Sequence, residues 1–219
     1  MRPKVIMHAQ ISLDGGIQGF EDTEIYYRLS YQLNADMVLF GSNTVYLATQ
    51  QFAIPEKEAD FVKPVPDLND DRPMAVVPDS RGILRNLHFL RNMEYLKDVI
   101  VLVSKTTPQD YLDYLKERNY DFIIAGEDHV DYRKAFEALS GQYRCKTIRT
   151  DSGGMLTNIL LEQKLVDEIS LVVSPCLVGK DIPDLFRSLS LQNRIQLELK
   201  KCEIVDNNYL FLIYKVLEK

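Results

Sequence analysis

The sequence predicts an α/β fold, a mostly parallel central sheet with flanking helices closed by a C-terminal antiparallel hairpin, and three observations predict it. Short apolar runs rich in Val and Ile recur from Lys4 to Ser174, each bounded by Gly, Pro, Asp or Ser. Continuous runs of this kind suit strands buried on both faces. Between them lie segments whose apolar residues return at three- and four-residue steps, and alternation of strand with helix is the signature of a parallel sheet covered by helices. After residue 195 the alternation stops, and two strand-like segments follow one another around a turn.

In chain order the strands are expected over Lys4–Gln10, Met37–Phe40, Met74–Pro78, Val99–Val103, Phe122–Ala125, Lys146–Thr150 and Glu168–Ser174. Helices are expected over Thr23–Asn34, Pro108–Arg118, Asp131–Leu139 and Met155–Gln163. In the second of these, Tyr111, Leu112 and Leu115 form the apolar stripe that packs on a sheet. Gln196–Ile204 and Tyr209–Leu217 flank Asp206-Asn207-Asn208, a turn-forming triplet, and read as a hairpin. Residues 49–72, with Pro55, Pro64, Pro66 and the run Asp67 to Asp71, make one long polar loop, either an active-site flap or a disordered excursion. The 219 residues suffice for one large domain, and a single domain over 1–219 is the organisation expected.

Composition narrows the function classes. With 46% apolar and 26% charged residues the chain is an ordinary globular protein. Its net charge of -6 comes from mixed acids and bases with no Lys/Arg block, so nucleic acid is not the expected partner. Cys145, Cys176 and Cys202 are odd in number and widely spaced, which supports neither a disulfide framework nor a zinc site, and His8, His88 and His129 assemble no metal cluster. No stretch approaches the ~20 apolar residues of a membrane helix, and the N-terminal apolar stretch is too short for a signal peptide. A reducing cytoplasm is the expected compartment.

In open α/β sheets ligands bind at the carboxyl ends of strands, so the residues just after each strand carry the candidate chemistry. Thr150 to Met155 joins a strand to a helix through Ser152, Gly153 and Gly154; two glycines there let backbone amides approach a pyrophosphate, or the turn is a tight one capped by Asp151 or Ser152. Asp79-Ser80-Arg81-Gly82 pairs a hydroxyl with a guanidinium able to hold a phosphate monoester such as the 2′-phosphate of NADPH, or is a polar turn closed by Gly82. Ser104-Lys105-Thr106-Thr107 repeats that chemistry, or opens a helix at Pro108. Ser12 to Gly16 and Gly41 to Thr44 end the first two strands, where Asp14, Ser42 and Thr44 line a pocket mouth or cap the next segment.

Taken together and in this order, Ile11 to Gly15, Ala35 to Val45, Arg72-Pro73 through Gly82, Asp151 to Leu156, and Leu165 to Glu168 through Ser174 to Gly179 resemble five motifs of one family. It is the reductase (C-terminal) domain of the bifunctional riboflavin-biosynthesis deaminase-reductase, of the dihydrofolate reductase-like superfamily. The resemblance implies NADPH as cofactor, contacted at Gln10 (through its backbone), Thr44, Ser80 and the segment Ser152, Gly153, Gly154, Met155, Leu156 and on to Asn158. Arg81, Ser104 and Lys105 join that set by their strand-end positions. It implies a homodimer, and a reductase step without the zinc deaminase, whose paired cysteine ligands do not occur here.

The departures fall where the family meets its substrate. Gln32 stands in the place of a substrate-contacting arginine, with Arg28 one turn earlier on the same helix face. After Thr44-Val45, paired aspartates, a proline and an arginine give way to Tyr46 through Pro55. Fewer cations remain to meet a ribosyl phosphate, which is costly to desolvate alone. The expected activity is hydride transfer from NADPH to an imine or related carbon of a small heterocycle such as a ribosylaminopyrimidine. Asp14 and Asp151 are the catalytic candidates, and Arg28 and Gln32 the substrate-binding ones. A non-catalytic nucleotide-binding or regulatory module on the same fold, and a pteridine or carbonyl reductase, are the alternatives.

Overall fold

The computed structural model describes residues 1–20, 22–52, 54–65, 67, 69–192, 194–206 and 208–217. Its elements in chain order are β1 (Lys4–Ser12), α1 (Glu24–Tyr31), β2 (Met37–Phe40), α2 (Ser42–Gln51), a 3-10 turn (Glu58–Phe61), β3 (Met74–Pro78), α3 (His88–Arg91), β4 (Val99–Val103), α4 (Gln109–Glu117), β5 (Asp121–Ile124), α5 (Tyr132–Tyr143), β6 (Thr147–Asp151), α6 (Gly154–Glu162), β7 (Glu168–Ser174), β8 (Gln196–Val205) and β9 (Tyr209–Leu217). The fold is the expected α/β one: parallel strand pairs, flanking helices and a C-terminal antiparallel hairpin. The chain forms two compact units, one of residues 1–3 and 35–148, the other of 4–34 and 149–219.

In the first unit the strands run in the order β5-β4-β3-β2, all parallel. Every residue of β2 and β4 is buried, as an apolar strand covered on both faces must be. Val38, Val77 and Val101 pack with Tyr111 and Leu115 of α4 in one core, the stripe expected of that helix. In the second unit the order is β6-β1-β7-β9-β8. Here β7 is parallel to β1 and antiparallel to β9, which continues the hairpin. Ile25, Leu29 and Leu33 of and after α1 bury against Ile6, Val172 and Phe211.

Two expectations need correction. Residues 49–72 are not one long loop where described: α2 runs to Gln51, and the 3-10 turn Glu58–Phe61 follows. Side chains of the first unit tie this segment down, Arg91 donating to the Asp60 carbonyl, Asn119 to that of Phe61, and Arg118 pairing with Glu56. Ala53, Pro66 and Leu68 lie outside the described residues. Helix α2 escaped notice because it buries only Val45 and Thr49, too few positions to print a helical period. In addition α1 stops at Tyr31 instead of Asn34, whose φ of 45° is left-handed, and α5 continues past Leu139 to Tyr143. The hairpin turn holds a left-handed Asp206, φ 50°, while Asn207 lies outside the described residues.

Candidate active site

The second unit gathers a buried polar cluster at one end of β6. Side chains of a strand alternate between faces, so Arg149 and Asp151 share one face of β6. Tyr26 of α1 donates its hydroxyl to Asp151 Oδ1 at 2.9 Å. The Tyr26 ring stacks on His8 of β1, centroids 4.5 Å apart and planes 17° from parallel. His8 Nε2 donates to the Tyr26 carbonyl, so Nδ1 accepts from the Ser170 hydroxyl at 3.0 Å, which fixes a neutral tautomer. Burial, helped by the nearby Arg149 charge, lowers the His8 pKa to about 3. Burial acts the other way on Asp151, pushing its carboxyl above the usual range against the opposing pull of Arg149 and the Tyr26 hydroxyl.

Directly after Asp151 comes the glycine turn. Gly153 is the N-cap of α6, and no side chain caps the helix, so neither Asp151 nor Ser152 plays the capping role that the sequence left open. The Ser152 hydroxyl instead lies 3.3 Å from that of Thr157. A Cβ on Gly153 would meet only Ile17 Cδ1, at 3.8 Å, leaving open space above the backbone. Gly154 differs: a Cβ there would lie 2.3 Å from the Leu185 carbonyl oxygen, so its glycine answers to packing. Asn158 Nδ2 donates to the same carbonyl and to Ser188, while Met155 is exposed and Leu156 buried.

The remaining candidates of this unit, Asp14, Gln10, Arg28 and Gln32, make the following contacts. Asp14 accepts from the Ser12 hydroxyl at 2.6 Å and from the Gly179 and Val178 amides. Those donors, Ser12 foremost, hold its pKa down to about 2, so Asp14 is a carboxylate that fixes the loop after β7 and is no proton donor near neutrality. Gln10 donates its amide to the Asp22 carbonyl and the Ser174 hydroxyl, and its backbone lies in β1 beside Val172 of β7. Arg28 forms an exposed ion pair with Asp206, and Gln32 accepts from Lys201.

In the first unit the ends of β3 and β4 are knitted together. Ser80 Oγ accepts from the Val130 amide at 3.0 Å, and its carbonyl accepts from Thr107, whose hydroxyl also accepts from the Ser104 amide. Ser104 is fully buried and its hydroxyl reaches the Asp128 carbonyl. Lys105 pairs with Glu127 at 2.7 Å. Arg81 is exposed and makes no ion pair among the described residues, so of the two cations it is the one open to a ligand. Gly82 closes the turn at φ 66°, where an added Cβ would sit 2.8 Å from Tyr111. Thr44 is exposed in the first turn of α2, a helix again without a side-chain cap.

The cluster joins Asp151, named from the sequence, to Tyr26 and Arg149, which sequence reasoning did not single out as site residues. Arg149 was legible in principle, because two charged residues at i and i+2 on a buried strand share a face. Tyr26 was not, since only the packing of α1 on the strands brings it there.

Residues 3–211 match the model of the RibD C-terminal domain, and the chain belongs to that family. It is an oxidoreductase of the riboflavin-biosynthesis kind, as the resemblance implies. The chain is 28% identical over 214 residues to a 2,5-diamino-6-ribosylamino-4(3H)-pyrimidinone 5′-phosphate reductase of Methanothermobacter thermautotrophicus, covering 92% of this chain and 93% of that protein. Its fold matches a pyrimidine reductase-like protein of Corynebacterium diphtheriae with TM-score 0.72 at 18% identity, over 99% of this chain and 93% of that one. It also matches Acinetobacter baumannii RibD with TM-score 0.69 at 18% identity, where 99% of this chain spans 58% of the longer RibD chain.

Proposed function

We propose that the chain reduces the ribosylamino group of a pyrimidinone ribosyl phosphate, of the kind named for its Methanothermobacter relative, with NADPH as the reductant. The observation that carries this reading is the half-buried Asp151, hydrogen-bonded by Tyr26 and followed at once by an uncapped helix start with open space over Gly153. That space and those amides fit a pyrophosphate. Gln10 and Ser152 to Leu156 are assigned to the cofactor in the second unit; Thr44, Ser80, Ser104, Lys105 and Arg81 are assigned to it in the first, with Arg81 taking the 2′-phosphate. When bound, NADPH supplies the hydride.

The chain's own residues then manage the proton. As the C=N carbon of the ring-opened ribosyl imine is reduced, its nitrogen gains the electron pair and needs a proton. Asp151, whose carboxyl burial favours in the neutral form, supplies or orients it, and Tyr26 holds the carboxyl in place. Asp14 acts as an orienting carboxylate for the loop after β7. Arg28 is assigned to the substrate phosphate beside Gln32: its exposed ion pair with Asp206 is worth little in water, so exchanging that partner for a phosphate dianion is inexpensive. The protein is proposed to act as one reductase domain, in the cytoplasm and as a homodimer; among the described residues no helix is long and apolar enough to cross a membrane.

The test is oxidation of NADPH and of NADH by the purified protein with the pyrimidinone phosphate. NADPH is expected to support turnover at least about tenfold more efficiently, and Arg81→Ala to erase most of that preference by weakening NADPH alone, about 1.4 kcal/mol of binding. Binding of NADPH without turnover would favour a non-catalytic module, and equal use of both cofactors would remove the role of Arg81.

A further inference from the structure

We propose that Arg149 is a positioning residue of this reductase: buried on the face of β6 that carries Asp151, its guanidinium sets whether Asp151 holds a proton when substrate arrives. The inference rests on reading Asp151 as the proton donor. Arg149 is only 8% exposed and its Nε is buried without a hydrogen-bond partner. It forms no salt bridge among the described residues, although a buried guanidinium is costly to leave uncompensated. Strand geometry supplies the compensation, because residues i and i+2 on one face stand about 6–7 Å apart. At that range an unscreened carboxylate and guanidinium couple strongly without touching.

The groups facing Asp151 leave Arg149 as the cation that acts on it. From α1 come the hydroxyl of Tyr26, which donates to Oδ1, and that of Tyr27, whose ionisation burial and Asp151 both oppose. From β1 comes His8, which its tautomer and burial keep neutral. Burial pushes the Asp151 carboxyl above the ordinary carboxylate range, and Arg149 pulls the other way. A direct pair would pin the carboxylate in its charged form, whereas a guanidinium acting at a distance leaves an oxygen for the substrate.

The experiment is a carbon-13 carboxyl NMR titration of the cofactor-free protein labelled at aspartate, with Asp151 identified through Asp151→Asn, run beside the pH profile of kcat. Arg149→Gln is expected to raise the Asp151 midpoint by about one pH unit or more, and Arg149→Lys, which keeps the charge, to leave it within about half a unit. An unchanged midpoint in Arg149→Gln overturns the proposal. Should that variant fail to fold, Arg149→Lys decides: a midpoint moved by a full unit despite the retained charge overturns it, and one held in place supports it. A midpoint that moves while the kcat profile stays fixed keeps the role of Arg149 and overturns instead the reading of Asp151 as donor.

Discussion

At the scale of single residues, the two acidic candidates resemble each other in sequence and differ in surroundings. Asp14 sits among donors, Ser12 foremost, which hold its carboxyl down, whereas Asp151 sits beside one phenol and a neighbouring guanidinium where desolvation pushes its carboxyl up. His8 makes the same point for a base. Its pKa falls from the ordinary 6.5 to about 3, so the neutral ring is what the fold accepts, and protonation favours the unfolded chain. The His8 contribution is therefore complete above pH 6.5 and is lost progressively as pH falls towards 3. Between pH 7 and pH 5 it should cost the wild type about 2 kcal/mol of unfolding free energy relative to His8→Phe. Denaturant titrations of both proteins at the two pH values measure it; parallel losses would show that His8 is not buried in neutral form. None of this was legible beforehand, because His8 reads as one polar residue in an apolar strand until Tyr26 and Ser170 stand beside it.

At the scale of elements, the sequence was most informative where burial is complete. Strands β2, β3, β4 and β7 occupy the segments expected of them, since an apolar run bounded by turn residues has few other uses. It was least informative at α2, where Thr49 and Val45 are the only buried positions, and in the segment after it, which is ordered by side chains distant in sequence. The turn between β6 and α6 was legible as a glycine site but not in the division of labour between its glycines. At Gly154 the Leu185 carbonyl lies 2.3 Å from a would-be Cβ, which makes any substitution there a folding lesion. Gly154→Ala should lower the melting temperature by roughly 5 °C or more. Gly153→Val, entering open space at a φ of -64°, should melt near the wild type while NADPH affinity falls at least about tenfold. Calorimetry with cofactor titration separates the two; a Gly153→Val protein that binds NADPH normally would remove the pyrophosphate assignment.

At the scale of the whole molecule, the family was legible from short motifs kept in order, while the substrate positions were not, because Gln32 and residues 46–55 depart from the family pattern there. The C-terminal hairpin bears on assembly. Strand β8 is the last in its sheet, ten residues long, with Leu199 and Ile204 more than half exposed, an edge that monomeric proteins usually blunt. Sedimentation velocity at micromolar concentration should give a dimer near 51 kDa, about twice the 25.3 kDa chain. Leu199→Lys with Ile204→Lys should shift it to monomer, and a wild type that sediments only as monomer would contradict the assignment.

The central claim, that this chain moves a hydride onto its substrate while Asp151 attends to the proton, is tested most directly by isotope transfer. NADPH deuterated at the nicotinamide C4 is incubated with the pyrimidinone ribosyl phosphate and the enzyme, and the product is weighed by mass spectrometry. The account predicts a ribitylamino product carrying one deuterium on the former imine carbon, formed far more slowly by Asp151→Asn. A folded, NADPH-binding protein that yields no deuterated product would contradict it.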